Sequence, residues 1–166
     1  AGLSVALLNI GLAGSFVTIL LRSHWKLAFA LVTISALVIY SWELCAILRA
    51  RKRRTLDWGV RYFLTAVALL IPLSLMAVVL SWPGLQINPF LGQLENLYGF
   101  VGLMGVVTLA IIGMLYKIIP FLVWFGVYSR HVGRARVPML GDMYSSRRQM
   151  IAYWVFLAGL VVISVG

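Results

Sequence analysis

The sequence predicts an all-α membrane protein with about five transmembrane spans, and three observations carry that expectation. Of 166 residues, 63% are hydrophobic and 11% charged, against about half and about a quarter in soluble domains. Mean hydropathy is +1.01. Five apolar runs stand near or above the roughly 20 residues with which a helix crosses a hydrocarbon core about 30 Å thick. None of them alternates in the manner of a membrane strand, so helices are what remains to satisfy the backbone in lipid.

The runs are residues 2–21, 27–48, 58–82, 97–128 and 150–165. The first opens the chain. The second ends against a basic segment, and the third begins at Trp58 just beyond it. The fourth is too long for a perpendicular span, which predicts tilt, a kink or a protruding end. The fifth closes the chain without a polar flank. The expectation is one transmembrane helical domain over 1–166, a piece of a larger bundle. No internal repeat or low-complexity tract interrupts it.

Charge predicts orientation. The segment "RARKRRT" (49–55) carries five basic residues, and "SRHVGRARVPMLGDMYSSRRQ" (129–149) carries five more. Residues 22–26 carry two and "PGLQINPFLGQLEN" (83–96) none. Five helices put the rich segments on one side and the poor ones on the other. The positive-inside rule therefore predicts the N-terminus inside and the C-terminus outside. The net charge of +10 reads as topology and as attraction to anionic lipid headgroups, from Arg49 to Arg54 and from Arg130 to Arg148. Nucleic acid is not an expected partner. Trp25, Trp82 and Tyr98 fall near the expected outer face, and Trp58, Tyr128 and Tyr144 near the inner one, as interface anchors.

Candidate chemistry is sparse. A lone Cys45 can form neither an internal disulfide nor an iron–sulfur site, and reads as a small buried hydrophobe. His24 and His131 fall in segments on opposite sides, about 30 Å apart across the core, so no bis-histidine haem is expected within this chain. The acidic residues Glu43, Asp57, Glu95 and Asp142 form no metal-ligand spacing. No base neighbours a nucleophile in the spans, so the chain alone is not expected to be catalytic.

Lys117 and Glu43 are the ionisable residues expected deep in the spans. Lys117 lies 11 residues, about 16 Å, from the end of its run at Tyr128; Glu43 lies six residues, about 9 Å, from Arg49. A bare charge at mid-membrane costs about 2.5–3.5 kcal/mol on insertion scales, so the two are expected to pair. Arg61, near the end of its run, is expected to snorkel to the headgroups. Gly99, Gly102, Gly105 and Gly113 offer a small surface for close helix packing. Pro120 predicts a kink and frees the Tyr116 carbonyl beside the lysine.

The stretch "LYGFVGLMGVVTLAIIGMLYKIIPFLVWF" (97–125) resembles a helix of bacterial membrane proteins related to the catalytic subunit of haem–copper oxidases. That group includes the nitric-oxide-response membrane proteins of denitrifiers. Those relatives commonly read His-x-His-Leu-Gly-Leu-Leu-Gly-Trp, followed by Gly-x-x-Tyr-Lys-x-x-Pro. Gly102, Leu103, Gly105, Gly113, Tyr116, Lys117 and Pro120 match, while Tyr98 and Phe100 stand where the histidines would be. The resemblance implies a haem–copper-oxidase-like subunit of a bacterial inner membrane that has lost its own metal ligands. Such a subunit would be a non-catalytic scaffold, among other membrane subunits, in a respiratory or nitrogen-oxide-related assembly. Two other readings stand beside it. One is a transporter or channel segment with Lys117 and Glu43 lining the path. The other is an electron-transfer subunit sharing haem ligands with a partner chain.

Overall fold

The computed structural model describes residues 2–21, 25–50, 56–82, 88–129 and 144–165. Among them the secondary structure is helical and there is no strand. The helices are α1 (Gly2–Leu20), α2 (Lys26–Arg49), α3 (Trp58–Leu80), α4 (Pro89–Phe100), α5 (Thr108–Tyr128) and α6 (Ser146–Val165). A π-helical segment, Val101–Val107, joins α4 to α5 without a break. Five continuous helical stretches are long and apolar enough to cross a membrane, and the one from Pro89 to Tyr128 has 40 residues.

Two boundaries differ from the sequence expectation by more than two residues. The fourth helix starts at Pro89 and not at 97, so residues 89–96 are helix where a loop was expected. Asn88 is extended at φ −108° and ψ 154°, and Pro89 follows at the first helical positions. Proline's fixed φ and missing N–H suit that place, where the backbone donor would be unsatisfied anyway. The last helix likewise starts at Ser146 and not at 150, taking Arg147 and Arg148 out of the basic segment and into its first turn.

The chain groups into two compact units. One holds Ala1–Arg54 and Leu69–Gly102, the other Thr55–Ala68 and Leu103–Gly166. In the first unit α1 and α2 form a close antiparallel pair. Ser4, Gly11 and Thr18, seven residues apart, are the buried positions of α1, and Ala30 and Ala36 are those of α2. A Cβ on Gly11 would run into Thr33, and one on Gly14 into the ring of Phe29. Small residues let backbones approach where lipid supplies no hydrophobic drive. The hydroxyls at these contacts stay within their own helices: Thr18 donates to the Gly14 carbonyl at 2.8 Å and Thr33 to that of Phe29 at 3.0 Å. Among the described residues no buried side-chain nitrogen or oxygen lacks a hydrogen-bond partner.

In the second unit the π segment is supported by Thr108, whose hydroxyl donates to the Leu103 carbonyl five residues back at 3.0 Å. The bond spans the five-residue repeat of the π turn. Leu109, one residue on, is fully buried.

Candidate functional site around Lys117

The site is built where α3, α5 and α6 meet within the second unit. Gly59 and Gly113 bring α3 and α5 together. A Cβ on Gly113 would stand 2.7 Å from the Gly59 carbonyl oxygen, 3.1 Å from the Phe63 nitrogen and 3.2 Å from the Tyr62 Cβ. One on Gly59 would stand 2.8 Å from the Gly113 oxygen, 3.4 Å from the Tyr116 Cβ and 3.5 Å from the Lys117 Cγ. Only glycine fits at both positions. Going forward along α3 from Gly59 to Phe63 means going back along α5 toward Gly113, so the two helices are antiparallel. Lys117 is then level with Asp57, the residue before α3 begins.

That register changes how the fourth helix reads. Counted along its own helix, Lys117 lies 11 residues from the end; counted against α3, it lies at the end of its neighbour. Residues 118–128 run on past the Trp58 end of α3 by about 16 Å. Ile118, Ile119, Phe121, Leu122 and Phe125 there are all exposed, with the rings of Phe121 and Phe125 stacked 6.2 Å apart. The over-long run is one continuous helix that outruns its neighbour α3. The helix continues through Pro120.

Tyrosines fill the space above the glycine contact. Tyr62 is only 1% exposed. Its ring meets Tyr116 edge-on at 5.3 Å and Tyr153 at 5.0 Å. Its hydroxyl donates to the Gln149 carbonyl at 3.4 Å. The Tyr153 hydroxyl shares a 2.6 Å hydrogen bond with Thr65. From Tyr62 to Thr65 on α3 the partners advance from Gln149 to Tyr153 on α6, so these helices run parallel. Edge-to-face pairs contribute about 0.5–1.5 kcal/mol each beyond area burial. Trp58, expected as an interface anchor, packs on Tyr153 at 5.7 Å. Arg61 lays its guanidinium 4.3 Å from the Trp58 ring centroid, one turn back toward the helix end.

Below the tyrosines a cavity of about 350 Å³ is lined by Lys117, Asp57, Gln149, Tyr144, Tyr116 and Phe121, with Gly59 and Pro120 completing it. It holds one cation, one carboxylate and an amide against an aromatic wall. That set suits water or a small polar or charged group. Nothing in the sequence near Asp57, Tyr144 or Gln149 signals the site, because Asp57 precedes α3 while Tyr144 and Gln149 stand at the start of α6, both far along the chain from Lys117.

Glu43 is half-buried on α2 in the first unit. Gly105 is buried in the π segment. An added Cβ at Gly102 would make only ordinary contact with Leu73, at 3.6 Å, and one at Gly99 would meet no described atom within 4 Å. Tyr98 and Phe100 are half-buried. Cys45 is exposed and not buried. His24 and His131 lie outside the described residues, as do residues 51–55 and 130–143 of the basic segments. Among the described residues no three His, Cys, Asp or Glu side chains gather as a metal-binding group.

Comparison with protein-family models, curated proteins and solved structures finds no match to this chain.

Proposed function

We propose that the chain is a non-catalytic membrane subunit, related in design to the helices of haem–copper oxidase catalytic subunits and working as a scaffold in a larger respiratory or nitrogen-oxide-related assembly. One observation supports this reading above others: the Gly-x-x-Tyr-Lys-x-x-Pro residues do their work in one place. Gly113 abuts the Gly59 backbone, Tyr116 packs on Tyr62, and Lys117 and Pro120 face the cavity. A pattern shared with a helix of such assemblies thus coincides with a packing joint. The exposed apolar end of α5 adds surface for neighbouring membrane subunits. By the positive-inside rule this end faces the cytoplasm of a bacterial inner membrane, with the N-terminus inside and the C-terminus outside.

The test is purification from native membranes in mild detergent, with mass spectrometry of the subunits that follow and a reduced-minus-oxidised haem spectrum. The expected result is a stable complex whose haem resides in other subunits, with no haem spectrum from the isolated chain. A chain that purifies alone and passes solutes or ions when reconstituted in liposomes would overturn the scaffold. It would favour the second reading, a transporter or channel segment, for which the charged cavity beside Lys117 is the supporting observation.

A further inference from the structure

Within the first unit, α2 and the upper part of α3 leave a groove of about 640 Å³ between them. Val38 and Trp42 of α2 and Ile71 and Leu75 of α3 line it and are more than half exposed. Ser74 also lines it, but its hydroxyl donates to the Leu70 carbonyl at 2.6 Å, so that wall offers no free donor. The groove follows α2 from Ile34 to Arg49, fifteen residues and about 22 Å. One leaflet of hydrocarbon is about 15 Å thick, half of the roughly 30 Å core. The α2 wall is therefore long enough to hold an acyl chain over the whole depth of its leaflet, with α3 facing it at Leu70, Ile71, Ser74 and Leu75.

Its end differs from its walls. Arg49, the last residue of α2, is the one charged residue among those lining the groove, and it is exposed. The sequence continues with basic residues at 51, 52, 53 and 54. A planar guanidinium at the end of an apolar channel, in a sequence that continues basic, matches a phosphodiester whose tail enters that channel. We propose that this groove binds one anionic phospholipid, with an acyl chain between α2 and α3 and the headgroup phosphate on Arg49. Juxtamembrane basic clusters attract anionic leaflets in general, at about 1 kcal/mol per residue. The groove adds a fixed seat for one molecule.

The only cysteine in the sequence supplies the reporter, because Cys45 lines the groove one turn from Arg49 and is exposed. The full chain in detergent micelles is titrated with phosphatidylglycerol, phosphatidylcholine or an isoprenoid quinone. Maleimide labelling of Cys45 and native mass spectrometry are the readouts. Phosphatidylglycerol is expected to slow labelling five- to tenfold and to leave a one-to-one adduct. Arg49→Gln should abolish both effects, Arg49→Lys should retain part of them, and Arg148→Gln, in the other unit, should retain them fully. Circular dichroism of each variant verifies that helix content is unchanged. Equal protection by phosphatidylcholine would mean general solvation by lipid and would overturn the site. Protection by the quinone alone, or an adduct that survives Arg49→Gln, would overturn it as well.

Discussion

Replacing Gly113 by alanine tests the joint that organises the second unit. The new Cβ would stand 2.7 Å from the Gly59 carbonyl oxygen, about 0.7 Å short of ordinary contact at 3.4 Å. The atoms it meets include the Gly59 oxygen and the Phe63 nitrogen, both backbone, so no rotamer change relieves the clash. α3 and α5 must separate, which loosens the Tyr62–Tyr116 edge contact at 5.3 Å. Overpacking of this kind costs about 1–3 kcal/mol. Alanine's better helix propensity offsets up to about 1 kcal/mol of that. The net expectation is a loss of about 1–2 kcal/mol, measured by reversible denaturant unfolding in micelles. Gly99→Ala on the same continuous helix is the control, since its Cβ meets no described atom; it should be neutral or slightly stabilising. Gly59→Ala makes the same clash from the other side, so the double variant should lose less than the two singles together. Gly113→Ala as stable as Gly99→Ala, or strict additivity with Gly59→Ala, would refute the contact.

Other outcomes follow from the same geometry. Thr65→Val and Tyr153→Phe each remove one side of a 2.6 Å hydrogen bond, and a double-mutant cycle in micelles should show about 0.5–1.5 kcal/mol of coupling; no coupling would mean that the hydroxyls do not bond. Lys117→Met and Asp57→Asn line one cavity and should couple by about 0.2–1 kcal/mol, since both residues are exposed. Coupling of Lys117→Met with Glu43→Gln, and not with Asp57→Asn, would instead support the pair expected from sequence. On a Cys45→Ser background, cysteines at Lys52 and Ala135 should be shielded from external thiol reagents in intact cells and one at Gln86 should react; labelling of position 52 from outside would reverse the orientation.

Helical character and the position of most helices follow from the order of the amino acids. Apolar length fixes the spans, because lipid leaves the backbone no other partner. Even the missed start at Pro89 has a local signal, in Asn88 followed by proline, which the polar residues of 89–96 obscured. Which small residues matter depends on how the helices pack. Gly99 and Gly113 belong to the same glycine pattern, yet one has open space beside it and the other abuts Gly59. The seven-residue stripe of Ser4, Gly11 and Thr18 is legible in hindsight, but the facing Thr33 and Phe29 are not. The environment of Lys117 is the clearest case. Distance along a helix reports depth only if neighbouring helices end together, and here α5 outruns α3 by eleven residues. The stagger between two helices is set by the side chains that lock them, Gly59 on Gly113 and Tyr62 on Tyr116, and no periodicity within either helix encodes it.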